Sequence, residues 1–323
     1  MLASGSGVDT AVVFVHGLNG NPETTWIHFQ TLVDRFADRF GWWPHCDLFF
    51  YSYESVAKPL RLSASKLDEF LTEIFPYPPT WLFRIPCDPL LAEIGIEGDI
   101  ILRGEFQGYS KLIIAAHSEG AAIARLLILD RANEAIRLVN AELRETGHDR
   151  PEVEEQAASG EVTSSLPTKV RRQRIESFNR LLNEQSRFRL LDAELCLFAP
   201  AHAGSSITGP FGSLLEMPGI NVLLRPLLRW STASRDLEPS SPILMALRTS
   251  TERLFLENDW IKALCARVLW GEDEKIVFVD KFSQDSEEFV AQHDHTSVCK
   301  PSVTYLKPLV FVSYGQHTAP AGV

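Results

Sequence analysis

The chain has 323 residues, with 31 Lys+Arg against 42 Asp+Glu and a formal net charge of −11. That balance excludes sequence-independent nucleic-acid binding, which needs a basic face. A chain of this length buries roughly 75 % of its unfolded surface and needs no disulfide or metal staple, and its 45 % hydrophobic content argues for a soluble globular protein.

The five cysteines, Cys46, Cys87, Cys196, Cys265 and Cys299, are odd in number and widely spaced. A disulfide framework or a zinc site is therefore not expected. Free thiols inside apolar runs fit a reducing, cytoplasmic setting. The first seven residues lack the basic and apolar regions of a signal peptide. No apolar run reaches the ~18 residues of a membrane span. Residues 1–323 are expected to form a single domain.

In chain order, Ala11–Val15 (AVVFV) predicts the first strand. Thr25–Phe40 has apolar residues at helical spacing. Cys46–Tyr51 (CDLFFY) predicts a second strand, and Ala64–Phe75 a helix. The Pro-rich, aromatic stretch Pro76–Pro89 then interrupts the pattern. Leu112–Ala116 (LIIAA) predicts a third strand, followed by a long Ala- and Leu-rich helix over Ala121–Leu143. Glu145–Ser177 is polar and reads as a solvent-exposed excursion. Leu195–Ala199 (LCLFA) and Arg267–Trp270 (RVLW) predict two more strands. Between them Gly209–Leu228 is apolar and broken by Gly and Pro. Short apolar runs alternating with helices predict an α/β fold with a mostly parallel sheet covered on both faces. Insertions are expected at about 76–110, 145–177 and 205–235.

The most informative stretch is Leu112–Ala124 (LIIAAHSEGAAIA). A strand runs into His117-Ser118-Glu119-Gly120 and directly into a helix. That is the strand–turn–helix setting of a serine nucleophile elbow. Such a turn needs small residues two before and two after the serine, here Ala116 and Gly120. It aims the Glu119 backbone N–H and the helix N-terminus at a reacting carbonyl. The first strand ends in His16-Gly17-Leu18-Asn19-Gly20. A glycine there lets the chain turn an N–H inward, and Leu18 is the candidate second oxyanion donor.

A serine hydroxyl needs a general base. Of the histidines after Ser118, His148 lies in the polar excursion, His317 in the tail, and His202 before the last strands. His293 and His295 remain. The acid is expected just after the strand ending at Trp270. Spacing points to Glu274 and residue type to Asp273.

VFVHGLNGNPETTW, IIAAHSEGA, APAHAGS and DHTSVCKP together resemble the α/β-hydrolases of the serine-active-site-containing, lipase-like family. The resemblance extends from Val12 to Pro301. It implies an α/β-hydrolase fold with inserted cap segments. It also implies Ser118 as nucleophile, His295 rather than His293 as base, and His16-Gly17-Leu18 as the oxyanion loop. His16, Gly17, His117 and His202 become candidate substrate-binding residues, with His202 read as lying behind the site. Two positions depart from the pattern: Ala116 stands where relatives carry Gly, and Glu274 where they carry Asp. No metal or organic cofactor is implied. The expected activity is hydrolysis of a small-molecule carboxylic ester with an apolar acyl group. Trp81, Phe83, Phe211, Leu214, Leu215 and Met217 are candidates to line the acyl side. A thioesterase or an amidase would use the same residues. A non-catalytic hydrolase-like interaction module is the other alternative, and the presence together of Ser118, His295 and both oxyanion loops speaks against it. Contact of the 209–228 segment with a membrane is a further reading.

Overall fold

The computed structural model describes residues 8–35, 42–85, 100–101, 108–145, 168–205 and 232–313. Its centre is a six-stranded, wholly parallel sheet. The strands are β1 (Thr10–Val15), β2 (Cys46–Tyr51), β3 (Lys111–His117), β4 (Glu194–Phe198), β5 (Ala266–Gly271) and β6 (Ser286–Val290). They lie in the order β2-β1-β3-β4-β5-β6. Every residue of β1, and every residue of β3 after Lys111, is buried. A parallel strand covered on both faces requires such a continuous apolar run.

Alternation sorts the two faces. Val15 points towards the long helix α2 (Glu119–Glu145), whose Gly120 packs on it. Two other helices on this face pack against α2: α1 (Leu60–Ile74) and α4 (Pro242–Glu257). The helix α3 (Thr168–Glu184) also packs on α2. Phe14 points the other way, into an aromatic layer with Trp26, Phe29 and Phe50. Phe198 extends that layer to Trp26 and to Phe311 of α5 (Lys307–Ser313).

Several elements differ from expectation. The Thr25–Phe40 helix is two short helices, Pro22–Thr25 and Phe29–Arg35. Asn21 caps the first by accepting the Thr24 N–H at 2.8 Å. The chain breaks at His28, whose φ is 70°. Residues 36–41 lie outside the described residues. The last third of the polar excursion, from Thr168, is the amphipathic start of α3. Strand β6 (SEEFV) and helix α4 carry no expectation from the sequence reading.

The Pro76–Pro89 segment requires a correction. The Tyr109 N–H donates to the Pro76 carbonyl at 2.7 Å, just before β3 begins. This places Pro76 at the N-terminal end of β3, opposite Ser118. Trp81 is 62 % exposed. A short antiparallel ladder pairs Arg84–Ile85 with Ile100–Ile101. Residues 86–89, and the candidate lining residues Phe211, Leu214, Leu215 and Met217, lie outside the described residues.

Candidate active site

The C-terminal ends of β1, β3 and β5 converge on one cleft of about 410 Å³. Ser118 is the residue between β3 and α2. Its φ of 54° is left-handed, which a non-glycine residue adopts at a cost. The surroundings fix it there. Its N–H donates to the Phe198 carbonyl at 3.0 Å, and its carbonyl accepts N–H groups from Ala121 and Ala201, both at 3.1 Å. Gly120 lets α2 start this close to β1, because a Cβ there would lie 2.4 Å from the His16 carbonyl oxygen.

The two oxyanion candidates are aimed by the same logic. In a trans peptide, C=O and the following N–H point in opposite directions. Ser118 C=O is engaged below the turn, so the Glu119 N–H faces the other way. The Gly17 carbonyl accepts from His16 Nδ1–H at 2.9 Å and from the Gly20 N–H at 3.0 Å. The Leu18 N–H is thereby turned away from His16. Ser55 Oγ accepts the Asn19 N–H at 2.8 Å and holds the loop. Among the described residues, no acceptor takes the Leu18 or Glu119 N–H.

The candidate base, His295, arrives on the loop after β6. His295 Nε2 lies 3.0 Å from Ser118 Oγ, and His295 Nδ1 lies 3.0 Å from Glu274 Oε2. Glu274 Oε1 accepts the Ile276 and Val277 N–H groups at 2.7 and 3.0 Å. Burial pushes this carboxyl up. The hydrogen bonds from His295 and the two amides more than offset burial and hold it below its ordinary value. An ionised Glu274 fixes the proton on His295 Nδ1 and leaves Nε2 free to accept from Ser118. Asp273 is exposed, and its N–H donates to the His293 carbonyl. Thus the structure brings Ser118, His295 and Glu274 into one chain of hydrogen bonds and leaves the Asp273 carboxyl outside it.

The His295 loop is pinned from several sides. Asp294 Oδ1 accepts from the Thr296 and Ser297 backbone N–H groups at 3.0 and 2.8 Å, closing the turn. Gly271 lets this loop lie against the end of β5, because a Cβ there would sit 2.2 Å from the His293 carbonyl oxygen. His117 Nε2–H donates to the His295 carbonyl at 2.7 Å. Burial, with the neighbouring His295, brings His117 down to about 3, so it is a neutral donor. His293 stacks on Tyr305, ring centroids 3.6 Å apart.

Gly17, Leu18 and His117 line the cleft. His16 and His202 do not, which corrects their reading as substrate-binding residues. His16 is fully buried, stacks on Tyr53, and accepts the Tyr53 N–H at Nε2. Its effect is to aim the oxyanion loop. His202 is also buried, 2.9 Å from the Asp280 carbonyl through Nε2, with its ring against Phe282. Burial brings it down to about 3.

The sequence reading missed Tyr53. Its hydroxyl lies 3.0 Å from the His16 carbonyl and 3.2 Å from Glu119 Oε2. Burial pushes the fully enclosed Glu119 carboxyl well above its usual range. A neutral Glu119 puts no negative charge beneath the oxyanion candidates. The aromatic run after β2, Tyr51-Ser52-Tyr53, was the available signal, but nothing in it points to β1 or β3.

The parallel sheet, the left-handed serine between β3 and α2, and the chain order Ser118, Glu274, His295 decide the architecture. The fold is that of an α/β-hydrolase. No protein-family model and no curated protein matches the sequence. Among solved structures, the chain is similar to the mature Bacillus licheniformis lipase BlEst2. The TM-score is 0.46 at 13 % identity, covering 96 % of this chain and 95 % of that one. It is also similar to the phospholipase PlaB from Legionella pneumophila, with TM-score 0.40 and 13 % identity over 82 % of this chain and 39 % of that one. A membrane phospholipase A described as a bacterial virulence factor gives TM-score 0.38 and 13 % identity, over 98 % and 82 %. These likenesses are distant, and the fold assignment rests on the sheet and the elbow.

Proposed function

We propose that this α/β-hydrolase-fold protein is a serine hydrolase of carboxylic esters. The observation that carries the reading is the chain Ser118 Oγ, His295 Nε2, His295 Nδ1, Glu274 Oε2, with both contacts at 3.0 Å. The unengaged Leu18 and Glu119 N–H groups beside it add support.

Ser118 Oγ bonds to the acyl carbon while His295 Nε2 takes its proton. The carbonyl π electrons move to oxygen, and the Leu18 and Glu119 N–H groups stabilise that oxyanion. When the oxyanion collapses, the bond to the alcohol oxygen breaks and His295 returns the proton to it. Water then attacks the acyl-enzyme with His295 again as base, releasing the acid and restoring Ser118. Glu274 stays ionised and stabilises the imidazolium in each half. The cleft holds a second nucleophilic type, Cys299, but burial pushes its thiol up to about 12. It is no thiolate at neutral pH.

The test is turnover of p-nitrophenyl esters of graded acyl length by the wild type and by Ser118→Ala. Turnover that falls about 10⁴-fold or more in the variant is expected. Equal turnover in both proteins would overturn the reading. Cleavage of thioesters or amides with no ester turnover would move it to another acyl bond.

A further inference from the structure

The protein is acidic overall, at −11, but its cleft is not. Among the described residues lining it, none is a carboxylate, and Lys300 is the lysine or arginine present. Besides His117, Ser118 and His295, the polar side chains there are Asn19, Thr24, Thr25, Ser205 and Thr296, all uncharged. Elsewhere several cations are paired, among them Arg131 with Asp68, Arg248 with Asp280 and Lys307 with Glu288. Among the described residues, no carboxylate lies within ion-pair distance of the half-buried Lys300.

Its position is fixed through the backbone that carries the base. Lys300 N–H donates to the Ser297 carbonyl at 3.0 Å, five residues beyond His295 in the same turn. The preceding Cys299 is buried, with Sγ 3.5 Å from the Thr25 carbonyl. This tie joins the base-bearing loop to the segment after the oxyanion loop. The Lys300 charge is felt at His117, which lines the same cleft. A half-buried cation near a nucleophile, with no counter-ion among the described residues, favours a ligand that brings one.

We propose that Lys300 is a specificity determinant that selects esters carrying an anionic group, a carboxylate or a phosphate, away from the scissile bond. This rests on the ester-hydrolase reading above and deepens it. The ammonium pairs with the anion while Ser118 attacks the ester carbonyl. A neutral ester forgoes that pairing and is discriminated against by its loss.

Two substrate pairs test it. The first is p-nitrophenyl hydrogen adipate against p-nitrophenyl hexanoate, equal in length and differing in the terminal carboxylate. The second is phosphatidylglycerol against diacylglycerol, each carried in vesicles of a non-hydrolysable ether-linked phospholipid, which asks whether the anion is a lipid headgroup. The readout is the ratio of kcat/KM for the anionic to the neutral member. In the wild type one ratio is expected to favour the anion by about tenfold, weakening with added salt. Lys300→Met should abolish that preference, Lys300→Glu reverse it, and Lys300→Arg retain it. A preference in the adipate pair identifies soluble acid esters, and one in the vesicle pair identifies anionic lipids. Hexanoate turnover with no preference in either pair would overturn the inference and leave the hydrolase reading standing. So would a preference that survives Lys300→Met. No turnover of any ester would overturn both.

Discussion

Glu274 and Asp273 are adjacent carboxylates with opposite environments. The Glu274 side chain is 1 % exposed and accepts three hydrogen bonds, while Asp273 faces solvent. The difference predicts opposite mutational outcomes. Glu274→Gln removes the ionised acceptor that fixes the His295 tautomer, and kcat should fall roughly 10³–10⁴-fold. Asp273→Asn should change kcat by no more than about twofold, as for a surface position. Steady-state kinetics on a p-nitrophenyl ester separates them, and equal losses would contradict the assignment. The sequence could not make this choice. Spacing and residue type disagreed by one position, and only the fold decides which carboxylate reaches His295. By contrast, Ser118 was legible, because an apolar strand, a tight small-residue turn and an Ala-rich helix are all local features.

At the scale of elements, the cleft depends on two close approaches. Helix α2 meets β1 at Gly120, and the His295 loop meets β5 at Gly271. Backbone lies on the far side of each contact, so an added methyl has no flexible partner to displace. Gly120→Ala should therefore destabilise the fold by about 1–3 kcal/mol through overpacking. Urea denaturation checks this, and an unchanged midpoint would contradict it. Buried elements were the ones readable from sequence. The run AVVFV is buried on both faces and announces itself. The edge strand β6, SEEFV, has no fully buried residue and an acidic centre, so no apolar run marks it. Helix α4 did carry a local start signal, with Ser241 capping and Pro242 in its first turn. The Thr25–Phe40 periodicity was misleading because Trp26 and Phe29 pack into one aromatic layer on either side of the break at His28.

For the whole molecule, stability is tied to acid pH through buried histidines. Burial brings His117 and His202 from 6.5 down to about 3 and lowers His16 as well. Between those values the unfolded chain binds protons that the folded chain refuses. Stability should therefore rise with pH across that window and be lost as pH falls through it. Glu274, held below its ordinary value of 4.5, adds to the loss at the acid end. Unfolding free energy measured against pH should show this slope, and His202→Phe should flatten it. An unchanged slope in that variant would contradict the account of His202. Among the described residues no helix is long and apolar enough to cross a membrane. The α/β architecture was readable as a whole because it repeats: strand, crossover helix, strand. Of the cap insertion expected at about 205–235, residues 206–231 lie outside the described residues.

The proposed function requires that the fold, its elbow and its base activate one serine. Reaction with a fluorophosphonate probe, followed by mass spectrometry of the labelled peptides, tests it without choosing a substrate. A single adduct on Ser118 is expected, absent in Ser118→Ala and formed far more slowly in His295→Ala. An unlabelled Ser118 in folded protein, or labelling that His295→Ala leaves unchanged, would contradict it.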